Sequence, residues 1–172
     1  ARPPARLGHS HVLLSRDVSG WIALPADPRA TAFELELPVA ALAIDEPAAR
    51  AAEGAEFASV PAPADVEGTR RNLLGPQVLD AAAFPGVRVL GAGATASGEE
   101  YVVDARIELR GRTTPLDVPV RVRRDDRELV AAGEFRVAQS ALGLVPFSVA
   151  LGALQVRDEL VVRFRIVAAR AG

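Results

Sequence analysis

Strict alternation of apolar and polar side chains through the C-terminal half constrains this chain more than any other feature, because a period of two assigns each residue to one face of an extended strand. From Glu100 to Arg110, Tyr101, Val103, Ala105, Ile107 and Leu109 share one face, and Asp104, Arg106, Glu108 and Arg110 share the other. Gly111 and Arg112 turn the chain, and Thr114 to Arg123 repeats the pattern with Leu116, Val118, Val120 and Val122 inward. Arg124, Asp125 and Asp126 supply the next tip, after which Leu129, Ala131, Gly133, Phe135 and Val137 continue the apolar face. Leu160, Val162, Phe164 and Ile166 end the series against outward Arg163 and Arg165. One apolar face per strand predicts a four-strand antiparallel meander with its other side in water. Pro119 falls on the outward set, where an edge or a bulge accommodates a residue that has no N–H.

Shorter strands are expected before it, over His9–Ser15, Ser19–Leu24 and Thr31–Pro38, the last with Phe33, Leu35 and Leu37 alternating against Glu34 and Glu36. Between Asp45 and Asp80 the period changes. Asp45 stands where a cap would, with Pro47 in the first turn of a helix, and a second helix is expected from Ala64 to Leu74 before Gly75 and Pro76. Seven or eight strands with a helical insertion over about 45–80 predict a mainly β, antiparallel barrel, since closure removes the edges of an open meander. A sandwich is the alternative. The 172 residues fit one domain, 1–172, of a size that buries roughly 70% of its unfolded surface.

Several function classes are disfavoured. Without cysteine there is neither a disulfide scaffold nor a thiolate metal site. A net charge of −2 lacks the basic footprint of a nucleic-acid binder. No stretch approaches the roughly 20 apolar residues that span a bilayer. The chain starts at Ala1 and contains no methionine, so a trimmed chain, already without any export signal, is expected. His9 and His11 are the only histidines. At i and i+2 they share a strand face, a weak metal candidate that lacks a third ligand, and a polar or structural role is the favoured reading. Gly91 to Thr95 reads as a hairpin turn rather than a phosphate cradle, because no helix follows. The basic run Arg121, Arg123, Arg124 and Arg127 encloses Asp125 and Asp126 and reads as a charged hairpin. With no G-x-S-x-G elbow and with strand carboxylates facing outward, no catalytic residue and no cofactor are expected.

The segment from Gln139 to Leu154, with Leu142, Leu144 and Phe147 among its apolar residues, is too apolar for a solvated connection and is expected to cover one end of the barrel. With Phe33, Leu35, Phe135 and Phe164 it either lines an interior that holds an apolar ligand or fills a core, and both readings stand.

From Val66 to Ala168 the order of segments resembles the YceI-like family. Gly68-Thr69-Arg70-Arg71-Asn72-Leu73-Leu74, Val78-Leu79-Asp80 and Phe84-Pro85 are similar to its helical segment and the aromatic-proline piece that follows. Ile107 to Val120, with the run Thr114-Pro115-Leu116-Asp117-Val118-Pro119-Val120, resembles its hallmark strand pair, and Gln139-Ser140-Ala141-Leu142-Gly143-Leu144 resembles its later serine-glycine segment. Near the start, Gly8-His9-Ser10-His11-Val12 and Val18-Ser19-Gly20-Trp21 are similar to its first turn, but only eight residues precede His9, where the family has a full strand. The resemblance implies a lipocalin-like barrel that binds a polyisoprenoid or another long amphiphilic lipid, in a bacterial periplasmic or secreted protein. It places Arg70, Arg71 and Asn72 near a barrel mouth as candidate head-group contacts. The alternative is a non-enzymatic structural or partner-binding domain with a filled core, forming a homodimer through the edge that a shortened N-terminus leaves.

Overall fold

Alternation becomes a sheet wherever the two sides of a strand differ enough in polarity to fix its register. The computed structural model describes residues 10–146, 148–149 and 154–170, with 148–149 and 154–155 as backbone alone. Its long strands are β5 (Gly86–Ser97), β6 (Glu100–Leu109), β7 (Arg112–Arg124), β8 (Glu128–Ala138) and β11 (Glu159–Ala169). Two shorter ones, β2 (Ser19–Ala23) and β3 (Ala32–Pro38), complete a seven-stranded antiparallel sheet in the order β11-β8-β7-β6-β5-β3-β2. Strand accounts for 48% of the chain, and the sheet curls into a half-barrel with few helices, as the expected fold class requires. Among the described residues β2 and β11 remain edges, with no pairing between them.

Register confirms which side is inside. Phe33 lies opposite Gly91, Gly91 opposite Ala105 and Ala105 opposite Leu116, one row across four strands. Phe164 lies opposite Gly133, and Phe135 opposite Val162. At both glycines an added methyl would overlap the facing phenylalanine ring, and at Gly133 it would also meet the backbone oxygen of Pro119. A missing side chain under a ring lets the sheet bend tightly without opening a hole.

Two local features depart from the expected layout. Residues 91–95 lie inside β5, and the turn falls later, at Gly98 and Glu99. Between Gly91 and Ala94 the register against β6 shifts by a bulge, which brings Ala94 inward beside Val103 and bends the strand. Pro119 is on neither an edge nor a bulge: β7 lies between β6 and β8, and the β7–β8 ladder runs only from Arg121 to Arg124. A proline nitrogen has no proton to extend it. Below that point the two strands separate, and the loop from Gln139 to Leu144 enters, with Thr114 Oγ1 donating to the Ala141 carbonyl at 3.3 Å.

The helical insertion is in place as α1 (Pro47–Ala52) and α2 (Pro63–Leu74), each with proline in its first turn. Asp45 does not cap α1. Glu46 holds that position, without a side-chain bond. The expected strand over His9–Ser15 shrinks to β1 (Leu13–Leu14), paired with β4 (Ala43–Ile44), while a small pair, β9 (Ser148–Val149) and β10 (Leu154–Gln155), lies in the connection to β11.

Candidate functional site: the inner face of the curled sheet

Buried side chains on the inner face form two groups. One, at the α2 end, joins Val39, Val78, Leu79, Leu109, Val137, Leu142 and Leu144. The other, toward the far hairpins, joins Ala94, Val103, Ala105, Val118 and Val120. Leu116 and Phe135 pack against both, so the apolar wall is continuous from end to end.

The candidate residues divide along this wall. Phe33, Phe135 and Phe164 pack against the far group, the last two with ring centroids 6.5 Å apart and planes inclined at 59°. Leu35 is half-buried on the same face, opposite Val89. Leu142 and Leu144, each 7% exposed, plug the α2 end where β7 and β8 part. Phe147 and His9 lie outside the described residues.

The polar trio on α2 is not one unit. Arg70 donates to the carbonyls of Leu42 at 2.8 Å and Ala40 at 2.5 Å, pinning the turn before β4. Arg71 is exposed, 3.7 Å from Glu67 on the same helix, and Asn72 is exposed beside it.

His11, itself exposed, joins the buried Asp45 and Arg50 in a polar cluster that the sequence reading missed. Its Nδ1 lies 2.6 Å from Asp45 Oδ2, and the Asp45 side chain is fully shielded from solvent. Asp45 Oδ1 accepts from the Val12 N–H at 2.9 Å and from Arg50 Nη1 at 2.6 Å. Arg50 also donates to the carbonyls of Ser10 and Ser59, and its guanidinium lies 5.7 Å from the Phe57 ring centroid. Burial pushes the Asp45 carboxyl up, yet hydrogen bonds from His11, Val12 and Arg50 outweigh it and hold the group below the usual carboxylate range. This cluster fastens the segment before β1 to α1. Among the described residues no three His, Asp or Glu side chains converge as metal ligands.

Two cavities lie along the sheet. One, of about 540 Å³, opens at the β5–β6 turn beside Arg121 and Arg123. The other, of about 470 Å³, is lined by outward Trp21, Leu90, Arg106 and Pro115 and also by Phe33, Gly91, Ala105 and Leu116 of the inner row.

Comparison with known proteins places this geometry. A model of the YceI-like domain matches residues 8–168. No curated protein matches the chain. The solved structure of Burkholderia cenocepacia BcnA is similar at 16% identity, covering 92% of this chain and 94% of that one, with a TM-score of 0.67. The Campylobacter jejuni YceI protein is similar at 9% identity, covering 94% of this chain and 85% of that one, with a TM-score of 0.63. A mutant CJ YceI protein with a monobromobimane guest gives 8% identity, the same coverages and a TM-score of 0.66. At such identities the likeness is one of fold.

Proposed function

The chain belongs to the YceI-like family, and from that premise we propose that it binds a long apolar or amphiphilic molecule along the inner face of its sheet, as a carrier or store rather than an enzyme. One observation carries the reading. Phe33, Val89, Leu116, Phe135, Leu160, Val162, Phe164 and Ile166 are only half-buried, and among the described residues Val39 is the one large side chain below 2% exposure. A wall of this size that filled its own core would bury such side chains outright.

Each methylene laid against the wall adds about 0.8 kcal/mol, so chain length supplies the affinity. Phe33, Leu35, Phe135 and Phe164 form the lining, and Leu142 and Leu144 stop the α2 end. Arg70 holds the turn at that end in place. Arg71 and Asn72, free to reach solvent, are the contacts for a polar group that emerges there.

Native mass spectrometry of protein purified from bacteria without detergent tests the reading. A stoichiometric adduct that organic extraction releases as a long-chain lipid is the expected result. A bare mass that persists after incubation with isoprenoid and fatty-acyl lipids would sink it, in favour of a partner-binding domain with a filled core.

A further inference from the structure

The outward side of the sheet carries a trough that the inner-face reading leaves unused. Trp21, Glu34, Leu90, Arg106 and Pro115 stand opposite one another in turn across β2, β3, β5, β6 and β7, forming one outward row. Asp104 and Asp117, opposite each other two residues along, form a second outward row with Ala92. Both rows line the cavity of about 470 Å³. The intervening residues send their side chains to the inner face, so the floor between the two rows is main chain. From β2 to β7 is four strand spacings, roughly 19 Å at about 4.8 Å each.

The two ends of the trough differ in chemistry. Trp21, 53% exposed, stands at the β2 end, and half-buried Leu90 and exposed Pro115 extend the apolar wall from it. At the β6–β7 end Arg106, Asp104 and Asp117 are all exposed, and among the described residues none of these three side chains makes a hydrogen bond or an ion pair. Glu34, by contrast, is held by Arg88 at 2.6 Å. Carboxylates directly opposite on neighbouring strands repel each other, so the fold carries a cost at Asp104 and Asp117 that its own contacts do not relieve.

We propose that this trough binds a neutral oligosaccharide. A hydroxyl both donates and accepts, so a polyol satisfies the carboxylates and the guanidinium together, whereas an anion meets two aspartates and a cation meets Arg106. The apolar wall suits the C–H face of a sugar ring, and the Trp21 indole supplies a broad platform at the far end. A free amino acid also carries both charges, but it is too short to reach from Asp117 to Trp21. A peptide finds no backbone partner in the floor, whose residues lie within the β3–β5, β5–β6 and β6–β7 ladders. Because the trough lies on the side of the sheet away from the apolar wall, the proposal stands whether or not a lipid binds there.

Trp21 is the only tryptophan in the chain, so its fluorescence reports on the site directly. Titration with the maltose and cellulose series of oligosaccharides is expected to shift the emission and to shield Trp21 from acrylamide. Affinity should climb with ring number until the trough is filled, and it should be indifferent to salt, as binding of a neutral ligand is. By isothermal titration calorimetry, Asp117→Asn should weaken binding about three- to tenfold and Trp21→Ala about tenfold. The ligand-free Tm of Asp117→Asn should rise, because the repulsion across β6 and β7 is relieved. A carboxylate that only served the fold would lower that Tm, and such a fall would overturn the role given to Asp117. No response to either series, or affinity unchanged in both variants, would overturn the site. A response to spermidine that salt abolishes, with none to the sugars, would overturn the ligand class in favour of a cation.

Discussion

Asp45 has no route to water, and its one full charge is balanced by a single guanidinium that is itself 3% exposed. Separating such a pair is far more destructive than the pair is stabilising, because the survivor keeps its charge without a partner. Asp45→Asn is the informative change, since asparagine tolerates the positive φ of 54° found there, keeps the size of the side chain, and removes the charge together with one of the two acceptor oxygens. Urea unfolding at neutral pH should show a loss of about 3–5 kcal/mol. The acid limb should change as well. With the folded carboxyl held below its unfolded value of about 4, its contribution is complete above that value and disappears as pH falls through the lower, folded one. Wild type should therefore lose stability on acidification more steeply than Asp45→Asn, and equal slopes would refute the role given to this carboxylate. None of this was legible in the sequence. An aspartate two residues before a helix-opening proline reads as a cap, and the left-handed backbone that sends the side chain to His11 and Arg50 leaves no trace in composition.

Elements were legible in proportion to the contrast between their two faces. β6, β7, β8 and β11 alternate large apolar with charged side chains, and each lies where the alternation puts it. The second half of β5, Gly91 to Ser97, offers small residues of nearly equal polarity, so nothing distinguished a strand with a bulge from a turn. Leu142 and Leu144 were identifiable because solvent does not tolerate so apolar a loop, but the gap that receives them was not, since it follows from a proline that ends one ladder and spares another. The glycines under the aromatic rings give the prediction at this scale. Gly133→Ala should destabilise by about 1–3 kcal/mol through overpacking, and more than Gly91→Ala. At Gly133 the obstacles include the backbone oxygen of Pro119, whereas at Gly91 they are atoms of the Phe33 ring, which can swing aside. Phe33→Ala should then suppress the cost of Gly91→Ala in a double-mutant cycle. Equal, independent costs would refute the cross-strand pairing of ring and glycine.

For the whole molecule, the outer face is held by exposed ion pairs, and the inner face is the proposed seat of the ligand. Arg88 bridges Glu34 and Glu108 across three strands, and Arg163 joins Glu134 on the neighbouring strand to Glu53 just past α1. Exposed pairs of this kind contribute little each, so thermal stability should respond to cargo far more than to salt. A ligand present at a hundred times its Kd adds about 2.7 kcal/mol, which scanning calorimetry should register as a rise in Tm of about 5–11 °C for a chain of this size. A Tm indifferent to every lipid offered would contradict the open inner face.

The two edges have a mechanical meaning. In a closed ring every strand is fixed from both sides, and the circumference is set by strand number and stagger. Among the described residues here, β2 and β11 are each held on one side only, so a small change of twist at each junction, summed over seven strands, opens or tightens the curl without breaking a ladder. In the proposed binding role such a sheet would work as a spring clip, its grip adjusting to the girth of the chain laid in it, with no fidelity for one thickness.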